Sequence, residues 1–352
     1  MRRRGGRSGS HASSCHVASR WALPFISDSR AFAPAACHNR RATLHVRLPL
    51  AIAPIVFLVA LSAQQAAVPN KAGSLKFVAM GDNGTGDQPQ YDIGQQMAAA
   101  RSRFPFDLVI MLGDNMYGGQ SPDDFVKKFE RPYAPLLAAG VKFQASLGNH
   151  DRPENVSYKH FNMNGQRYYT FARNNVRFFA LDSTQMDQRQ VEWLDGALGD
   201  AREDWKICYF HHPLYSNADR HGASVDLRVL LEPIFVRRGV NVVFSGHDHV
   251  YERIKPQKGI YYFVSGSAGQ LRKGNMRPNP AETAAFFDQD QSFMLVEIAG
   301  DEMFFETISR TGKTVDSGTI QRQAKTSQNS PTGLAGAARE LADGRPEVRD
   351  AR

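Results

Sequence analysis

The sequence is poor in cysteine and has no long apolar segment. Two of its three cysteines, Cys15 and Cys37, lie near the N-terminus, so the chain from residue 68 onward contains only Cys208, within the apolar run WKICYF. One cysteine cannot form an intramolecular disulfide, and we predict that Cys208 is a small buried core residue. The apolar run LPLAIAPIVFLVAL, residues 48–61, is too short to span a bilayer comfortably. These absences exclude a disulfide scaffold and argue against a membrane-spanning protein.

Net charge is also missing from most of the chain. The full sequence has 43 basic and 35 acidic residues, which gives a formal net charge of +8. Nine of the basic residues and one of the acidic residues precede residue 67, so the rest of the chain has a net charge of zero. Because no net positive field remains to attract phosphate backbones, we expect no nucleic-acid binding.

The positive charge is concentrated in a segment with the features of an export leader. Arg40 and Arg41 precede the apolar run, and the small residues of SAQQAAV follow it. This order predicts an export leader over residues 1–67, with a signal region at about 40–67, cleavage at about 62–67 and a disordered basic extension in front. The arginine pair also resembles a twin-arginine signal. The mature protein would then be periplasmic or extracellular, with no stable membrane anchor after cleavage.

After the leader, short apolar runs alternate with helical patterns. The segments LKFVAM, FDLVIML, VKFQASL, WKICYF and VNVVFSG predict strands, YYTFARNNVRFFALD predicts a hairpin, and PDDFVKKFERPYAPLLAAG predicts one helix ended by glycine. Such alternation is typical of a largely parallel sheet with helices on its faces. From about residue 259 the pattern changes to strands and turns, which predicts an antiparallel addition. We predict one domain over residues 72–320 and a disordered polar tail over 321–352.

Polar clusters follow five of the predicted strands. They are GDNG (81–84), GDNMY (113–117), GNHD (148–151), HHPLY (211–215) and GHDH (246–249). In an open α/β sheet, ligands bind beyond the carboxyl ends of the strands, so we expect the five clusters to meet at one edge. One such cluster alone is also compatible with an ordinary polar strand end, whereas five in succession indicate a shared site.

The residue types in these clusters are those of a metal site. Carboxylate, amide, imidazole and phenol groups bind zinc and first-row transition metals, and their number suits two ions that share a carboxylate. In GHDH, the alternation of side chains along a strand would point His247 and His249 the same way, one toward each ion, and turn Asp248 elsewhere.

These motifs resemble the calcineurin-like metallophosphoesterases and, more closely, the small tartrate-resistant type of purple acid phosphatase, over about residues 75–320. The general superfamily has a histidine two residues after its first aspartate. Here that position is Gly84, and Tyr117 follows Asp114 by three residues, which is the substitution of the purple subgroup. The resemblance implies an α/β fold of the metallophosphoesterase type, a four-layer αββα sandwich of two mixed sheets flanked by helices.

The resemblance also implies two metal ions and their ligands. It assigns ferric iron to one set of ligands and a divalent iron, zinc or manganese ion to the other, with one bridging carboxylate. The first set is Asp82, Tyr117 and His249, the second is Asn149, His211 and His247, and the bridge is Asp114. His212 stays open as an alternative to His211, although the family pattern of His, any residue, Pro selects His211.

Two further histidines are implied to act in catalysis. His150 would face the substrate phosphate, and His221 would give a proton to the leaving group, although a solvated loop residue is the alternative for His221. His160 has no motif around it, and we expect it to be structural or exposed. The basic residues of GQLRKGNMR either line the substrate entrance or form a solvated loop.

The implied activity is that of a metal-dependent acid phosphatase, which cleaves phosphomonoesters by in-line attack of a metal-bound hydroxide. A phosphodiesterase or nucleotide pyrophosphatase on the same dimetal core is the alternative enzyme, and a secreted non-catalytic binding protein is the alternative from another class. The expected substrate is a phosphorylated small molecule or protein, and we expect a monomer. Asn155, in NVS, is a glycosylation sequon with meaning only in a eukaryotic secretory pathway.

Overall fold

The computed structural model describes residues 68–278 and 281–322. The predicted leader, and the predicted tail beyond residue 322, lie outside these ranges. The strands are Leu75–Met80 (β1), Leu108–Leu112 (β2), Lys142–Ser146 (β3), Tyr169–Arg173 (β4), Val176–Ala180 (β5), Trp205–Tyr209 (β6), Val242–Ser245 (β7), Tyr251–Gln257 (β8), Ile260–Ser265 (β9), Thr283–Phe287 (β10), Ser292–Ala299 (β11), Glu302–Ser309 (β12) and Thr314–Gln321 (β13). The α-helices are Gln88–Arg103 (α1), Pro122–Phe125 (α2), Ala134–Ala138 (α3), Gln188–Asp200 (α4) and Val225–Arg238 (α5).

The strands form two mixed sheets. The first has six strands in the order β13-β12-β11-β1-β2-β3, and the second has seven in the order β10-β8-β9-β7-β6-β5-β4. Parallel pairing joins β1, β2 and β3 in the first sheet and β5, β6, β7 and β9 in the second, while the remaining pairs are antiparallel. The late strands are therefore not one addition, because β8 to β10 extend the second sheet and β11 to β13 extend the first.

The two sheets bury their inner faces against each other. Phe77 of β1 lies edge-on to Phe178 of β5 and Phe244 of β7, with ring centroids 5.3 Å and 6.1 Å apart. Because side chains alternate along a strand, the next residue of β5, Phe179, faces outward and packs in a second cluster with Leu194 of α4 and with α5. On the far side, α1 packs on the first sheet. These four layers confirm the predicted αββα sandwich.

Several local predictions are confirmed. β1 spans the predicted LKFVAM, and the hairpin of β4 and β5 turns at Asn174, which has the positive φ of 49° that such a turn uses. Helix α5 ends at Gly239 in the left-handed conformation. Cys208 is buried in the core cluster behind the second sheet, as predicted.

The single helix predicted over residues 122–140 is wrong. The segment consists of α2, a π-helical turn at Val126–Glu130, an irregular turn and α3. Pro132 and Pro135 have no backbone N–H and cannot continue a helical ladder from the preceding turn, which explains the break after Glu130 and the position of Pro135 in the first turn of α3. The sequence patterns also missed β8, whose alternation is interrupted by charged residues and by Pro256, and β10, a five-residue strand that is not buried.

Among the described residues, the helices are too short or too polar to cross a membrane.

Candidate metal centre

The five polar clusters follow β1, β2 and β3 of the first sheet and β6 and β7 of the second. They meet where the carboxyl ends of the two sheets come together, and not along the edge of one sheet, as the sequence suggested. The ligand candidates implied by the resemblance are all brought together there. Their side-chain donor atoms form two groups.

The first group contains a carboxylate, a phenol and an imidazole. The Tyr117 hydroxyl lies 3.0 Å from Asp82 Oδ1 and 3.3 Å from His249 Nε2. His249 Nε2 lies 3.4 Å from Asp82 Oδ1. Asp82 is fully buried, so three oxygen and nitrogen ligand atoms converge at a site that is closed to solvent on the Asp82 side.

The second group contains an amide and two imidazoles. His211 Nε2 lies 3.0 Å from Asn149 Oδ1 and 3.1 Å from His247 Nδ1. The other ring nitrogen of His211, Nδ1, lies 3.0 Å from the carbonyl oxygen of Leu112 and donates to it, which leaves Nε2 as an acceptor. Three acceptor atoms therefore face one another.

Asp114 lies between the two groups. Its Oδ1 is 3.4 Å from His211 Nε2, and its carboxylate also gathers with Asp82 and His249. The backbone N–H of His150 donates to Asp114 Oδ1 at 2.8 Å and fixes the carboxylate. This is the placement that a shared ligand needs.

The backbone at three of these positions is strained. Asp82, Asp114 and His247 have φ values of 57°, 50° and 69°, in the left-handed region that residues other than glycine rarely occupy. Such conformations cost about 1–3 kcal/mol each and persist where the surroundings impose them, most often at functional sites. Each of the three follows a glycine at a strand end, where the chain turns sharply.

Two glycines leave room for the ligands themselves. A Cβ on Gly113 would lie 2.6 Å from His211 Nδ1, and Gly113 has a φ of 86°. A Cβ on Gly148 would overlap the backbone nitrogen and the carboxylate of Asp114. The turn chemistry of GDN and GNH thus has a steric reason, because any side chain at these glycines would displace a ligand.

The GHDH segment corrects one sequence argument. Residues 246–250 form a tight turn, not a continuation of β7, with Asp248 N donating to Gly246 O at 2.8 Å. His247 and His249 still reach different groups, and Asp248 still points away. The turn, and not the alternation of side chains along a strand, orients these three residues, so the predicted strand alternation is wrong.

The donor set fits two cations. Metal–nitrogen and metal–oxygen bonds of about 2.1 Å place neighbouring ligands about 3 Å apart, which is the spacing seen in both groups. Acceptor atoms at that spacing repel one another unless a cation or proton lies among them. The observed chemistry, with oxygen-rich and nitrogen-rich groups joined by one carboxylate, suits a pair of ions.

The electrostatics of the site favour positive charge. Burial lowers the pKa of His211, but the carboxylates of Asp114 and Asp82 outweigh burial and raise it. Burial raises the pKa of Tyr117 far above its usual value, and the charges of Asp82 and Asp114 raise it further. The pKa of His247 falls to about 2, because it is buried and lies near other histidines, so this ring is neutral. The negative charge that attracts a proton to His211 would equally attract a metal cation.

The two proposed catalytic histidines lie at the rim of the site. The His150 side chain is 51% exposed, its Nε2 is 4.0 Å from Asp114 Oδ2, and its ring centroid is 4.7 Å from that of Tyr117. The exposed ring of His221 packs on His247 at 4.3 Å. Both are therefore near the ligands, and both are open to a substrate.

His212 differs from its neighbour. It gathers with His211 and His247, but its Nδ1 lies 2.9 Å from Ser183 Oγ, and burial lowers its pKa to about 4. His211 is the one whose Nε2 faces both Asn149 and Asp114. The geometry therefore favours His211 as the ligand.

Two residues outside the ligand set behave differently. His160 lies against Phe129 and near Glu130, away from the site. Asn155 is 4% exposed and donates its amide to Gln120 Oε1 at 2.9 Å, so the sequon is buried in the folded chain.

Sequence reasoning gave no role to Asp151 and Lys128, which hold the ligand loops. The carboxylate of Asp151 is surrounded by five N–H donors from four residues, Asn115, Met116, Gly148 and Asn155. Burial raises the pKa of Asp151 to about 7 although these backbone donors oppose the shift. The buried Lys128 donates to the carbonyl oxygens of Tyr117 and Gly119. Asp151 was visible inside GNHD, whereas Lys128 lies in a segment that reads as an ordinary solvated helix.

Asp248, between the two ligand histidines, holds the loop of His221. It accepts from Ser216 Oγ at 2.6 Å and from the backbone N–H of Gly222 at 3.4 Å. Because Gly222 follows His221, this carboxylate couples the ligand turn to the position of the rim histidine.

Two mixed sheets packed face to face, helices outside them and two ligand groups at their carboxyl ends define a metallophosphoesterase. The sequence pattern of the calcineurin-like phosphoesterases matches residues 75–251. The chain belongs to this family, and the predicted metal-dependent phosphoester hydrolase of the dimetal type is confirmed.

Individual relatives agree with the predicted resemblance to purple acid phosphatases. Human tartrate-resistant acid phosphatase type 5 is 28% identical over 301 residues, which cover 72% of this chain and 92% of the human protein. Purple acid phosphatase 4 of Arabidopsis thaliana is 27% identical over 274 residues, covering 67% of this chain and 80% of the plant protein.

Solved structures share the fold. Purple acid phosphatase PPD1 from yellow lupin matches with a TM-score of 0.59 and 19% identity, over 73% of this chain and 55% of the lupin chain. GAP50, the anchor in the inner membrane complex of Plasmodium, matches with a TM-score of 0.62 and 17% identity, over 79% of this chain and 98% of that chain.

Proposed function

We propose that the protein is an exported acid phosphatase that hydrolyses phosphomonoesters of small molecules or proteins. The observation that carries the proposal is the pair of ligand groups joined at Asp114, with a phenol in only one of them. The similarity to tartrate-resistant and purple acid phosphatases supports the same substrate class.

The two ligand groups would bind ions of different charge. Asp82, Tyr117 and His249 suit ferric iron, because a trivalent cation ionises a phenol readily, and the neutral Asn149, His211 and His247 suit divalent iron, zinc or manganese. When bound, the ions lower the pKa of a water molecule and neutralise charge on the phosphoryl oxygens. Asp114 would keep the two ions at a fixed separation.

His150 and His221 would act on the substrate from two sides. The exposed imidazole of His150, beside Tyr117, can donate to a phosphoryl oxygen as negative charge develops there. His221, packed on His247, can supply a proton to the departing ester oxygen. Both rings lie at the exposed rim beside the ligand candidates, which leaves them accessible to substrate.

We propose one catalytic domain over residues 72–320, a cleaved export leader before it, a polar tail over 321–352 and a monomeric mature protein. Supporting observations are the charge and apolar pattern of the leader and the single sandwich built from β1 to β13, which ends at Gln321.

The test is a comparison of kcat/KM for a matched aryl phosphomonoester and phosphodiester, measured on one metal-loaded preparation from acid to neutral pH. We expect a strong monoester preference and an acid optimum. The control is His160→Ala, which removes a histidine outside the site and should keep the wild-type profile.

Diester preference would replace this proposal by the phosphodiesterase alternative on the same ligand groups. Absence of turnover with both ions bound would instead support a non-catalytic binding protein.

A further inference from the structure

The loop over residues 270–277 runs directly above the first ligand group. The backbone N–H of Gln270 donates to the carbonyl oxygen of Asp82 at 2.9 Å, and that of Arg272 donates to the carbonyl oxygen of His249 at 2.9 Å. Arg272 is therefore held one hydrogen bond away from a ligand candidate. The proposed mechanism uses no residue of this loop.

The same loop is joined to the loop that carries His221. Asp219 N donates to Asn275 O at 2.7 Å, and Arg277 N donates to Asn217 O at 3.2 Å. The two loops thus form one rim, with Arg272 and His221 on it. The position of the rim is fixed from below by the buried Asp248 and by Glu252, which accepts from Asn217 N at 3.0 Å.

The basic side chains of this rim are not equivalent. Lys273 is exposed, and Arg277 lies 3.6 Å from the carboxylate of Asp219. The Arg272 side chain is half-buried, and its Nη1 atom is buried without a hydrogen-bond partner among residues 68–278 and 281–322. A buried guanidinium nitrogen without an acceptor is unfavourable, and the half-buried side chain has no carboxylate within ion-pair distance among the residues that the structure describes. An anionic ligand at the exposed part of the guanidinium would supply the missing counter-charge.

Arg272 also lies beside the rim histidine. The backbone N–H of Arg272 is hydrogen-bonded to His249, and the ring centroid of His221 lies 6.4 Å from that of His249, so both residues lie against the same ligand candidate. The proposed proton donor to the leaving oxygen and the unpartnered guanidinium are thus neighbours. An ester whose oxygen faces His221 would extend its leaving group along this rim, away from Asp114.

We propose that Arg272 binds an anionic group, a carboxylate or a phosphate, on the leaving-group side of the scissile bond. The substrates preferred by this protein would then be phosphoesters whose leaving group is itself negatively charged. This inference rests on the proposed phosphatase function. Arginine suits the role because its planar fork binds carboxylate and phosphate with two parallel hydrogen bonds.

The test uses two aryl phosphates that differ only in the charge of the leaving group, para-carboxyphenyl phosphate and its neutral amide, para-carbamoylphenyl phosphate. We expect the wild-type protein to prefer the carboxylate substrate by roughly tenfold in kcat/KM, the size of one charge-assisted contact. Arg272→Gln should abolish the preference, because it removes the charge that distinguishes the two leaving groups. Arg272→Lys, which keeps the charge without the fork, should retain part of it.

Lys273→Gln is the matched control, since it removes the same charge from the adjacent exposed position and should keep the wild-type preference. Competition by inorganic pyrophosphate and by inorganic phosphate distinguishes the two anions. If Arg272→Gln weakens inhibition by pyrophosphate but not inhibition by inorganic phosphate, the anionic group that Arg272 binds is a phosphate of the leaving group.

Equal loss for both aryl substrates in Arg272→Gln, or the same loss of preference in Lys273→Gln, would overturn the role of Arg272 while hydrolysis itself continues. If the metal-loaded wild type hydrolyses neither substrate, the proposed function fails and this inference with it. The two failures are thus distinguishable.

Discussion

The two ligand groups of the metal centre are close neighbours but differ in charge. Asp82, Tyr117 and His249 can carry two negative charges, on a carboxylate and a phenolate. Asn149, His211 and His247 offer only neutral oxygen and nitrogen atoms when they act as ligands. Both groups have the same spacing of about 3 Å between donor atoms.

This difference shows how one fold can bind two unlike ions side by side. Strand ends and glycine turns set the spacing of the ligands, which is the same in both groups. Single side chains set the charge of the ligands, which differs between the groups. An ion of higher charge is favoured where the ligands are anionic, since the interaction energy scales with the product of the charges. Single substitutions test whether the two groups differ in this way.

Asp114 belongs to both groups, so its replacement should have the largest effect. Asp114→Asn removes the shared negative charge, and we expect turnover to fall by at least about three powers of ten, because charge stabilisation by two ions supplies several kcal/mol. Metal content and kcat measured on the same sample test this. Full turnover with both ions retained would place the bridge elsewhere.

His150 belongs to neither group, and its loss should separate chemistry from metal binding. His150→Ala should lower kcat by roughly two to four powers of ten while both ions stay bound. Elemental analysis beside kinetics is the measurement. Loss of an ion in this variant would show that His150 is a ligand.

Tyr117 belongs only to the first group. Tyr117→Phe should abolish the pink to purple colour that ferric iron on a phenolate would give, and should weaken iron at that group with little change at the other. Visible absorption and metal content measure both effects. A colourless wild type with full iron content would contradict the assignment.

The same residue predicts a pH dependence. Burial and the carboxylates of Asp82 and Asp114 hold the pKa of Tyr117 high, so a cation must displace its proton. Iron uptake by the wild type should therefore tighten as pH rises, and Tyr117→Phe should flatten this dependence. Equal slopes for the two proteins would exclude the phenol as a ligand.

Asn149→Asp would make the second group more like the first. An added carboxylate should slow removal of the second ion by a chelator by about tenfold, because ligand charge sets the affinity for a cation. The release rate of each ion after chelator addition is the measurement. Faster release of the second ion would argue against Asn149 as its ligand.

Asp248 is expected to give the smallest effect, because it acts on the rim and not on the ions. Asp248→Asn weakens the bonds to Ser216 and Gly222, and we expect kcat/KM to fall about fivefold at constant metal content. Asp219→Asn is the control, since its side chain is 79% exposed on the same loop. A pH profile that shifts in Asp248→Asn and not in the control would separate positioning of His221 from general loosening.

Much of this protein was readable from local sequence. The strands β1, β2, β3, β6 and β7 are short apolar runs, and all of them except β6 are followed within two residues by glycine, which is enough to recognise a buried strand. The motif residues themselves pointed to two ions. These features are local because burial and turn chemistry leave their mark within a few residues.

Other features depended on contacts between distant segments. No local sequence pattern shows that β11 pairs with β1 or that β9 pairs with β7. For that reason the sequence could not show that the five clusters come from two facing sheets. Lys128 reads as a surface residue until its ammonium is seen buried against the Tyr117 loop. Arg272 reads as one of several basic loop residues until its neighbours turn out to be His249 and His221.

The sequence by itself determined the candidate ligand types, most of the strands along the chain and the family. Only the tertiary structure decided how far apart the ligand candidates lie, why the geometry favours His211 over His212, and which arginine at the rim has a buried nitrogen without a partner among the described residues. The physical reason is that ligand chemistry is carried by single residues, whereas distance, burial and the pairing of charges arise only when segments far apart in the chain pack together.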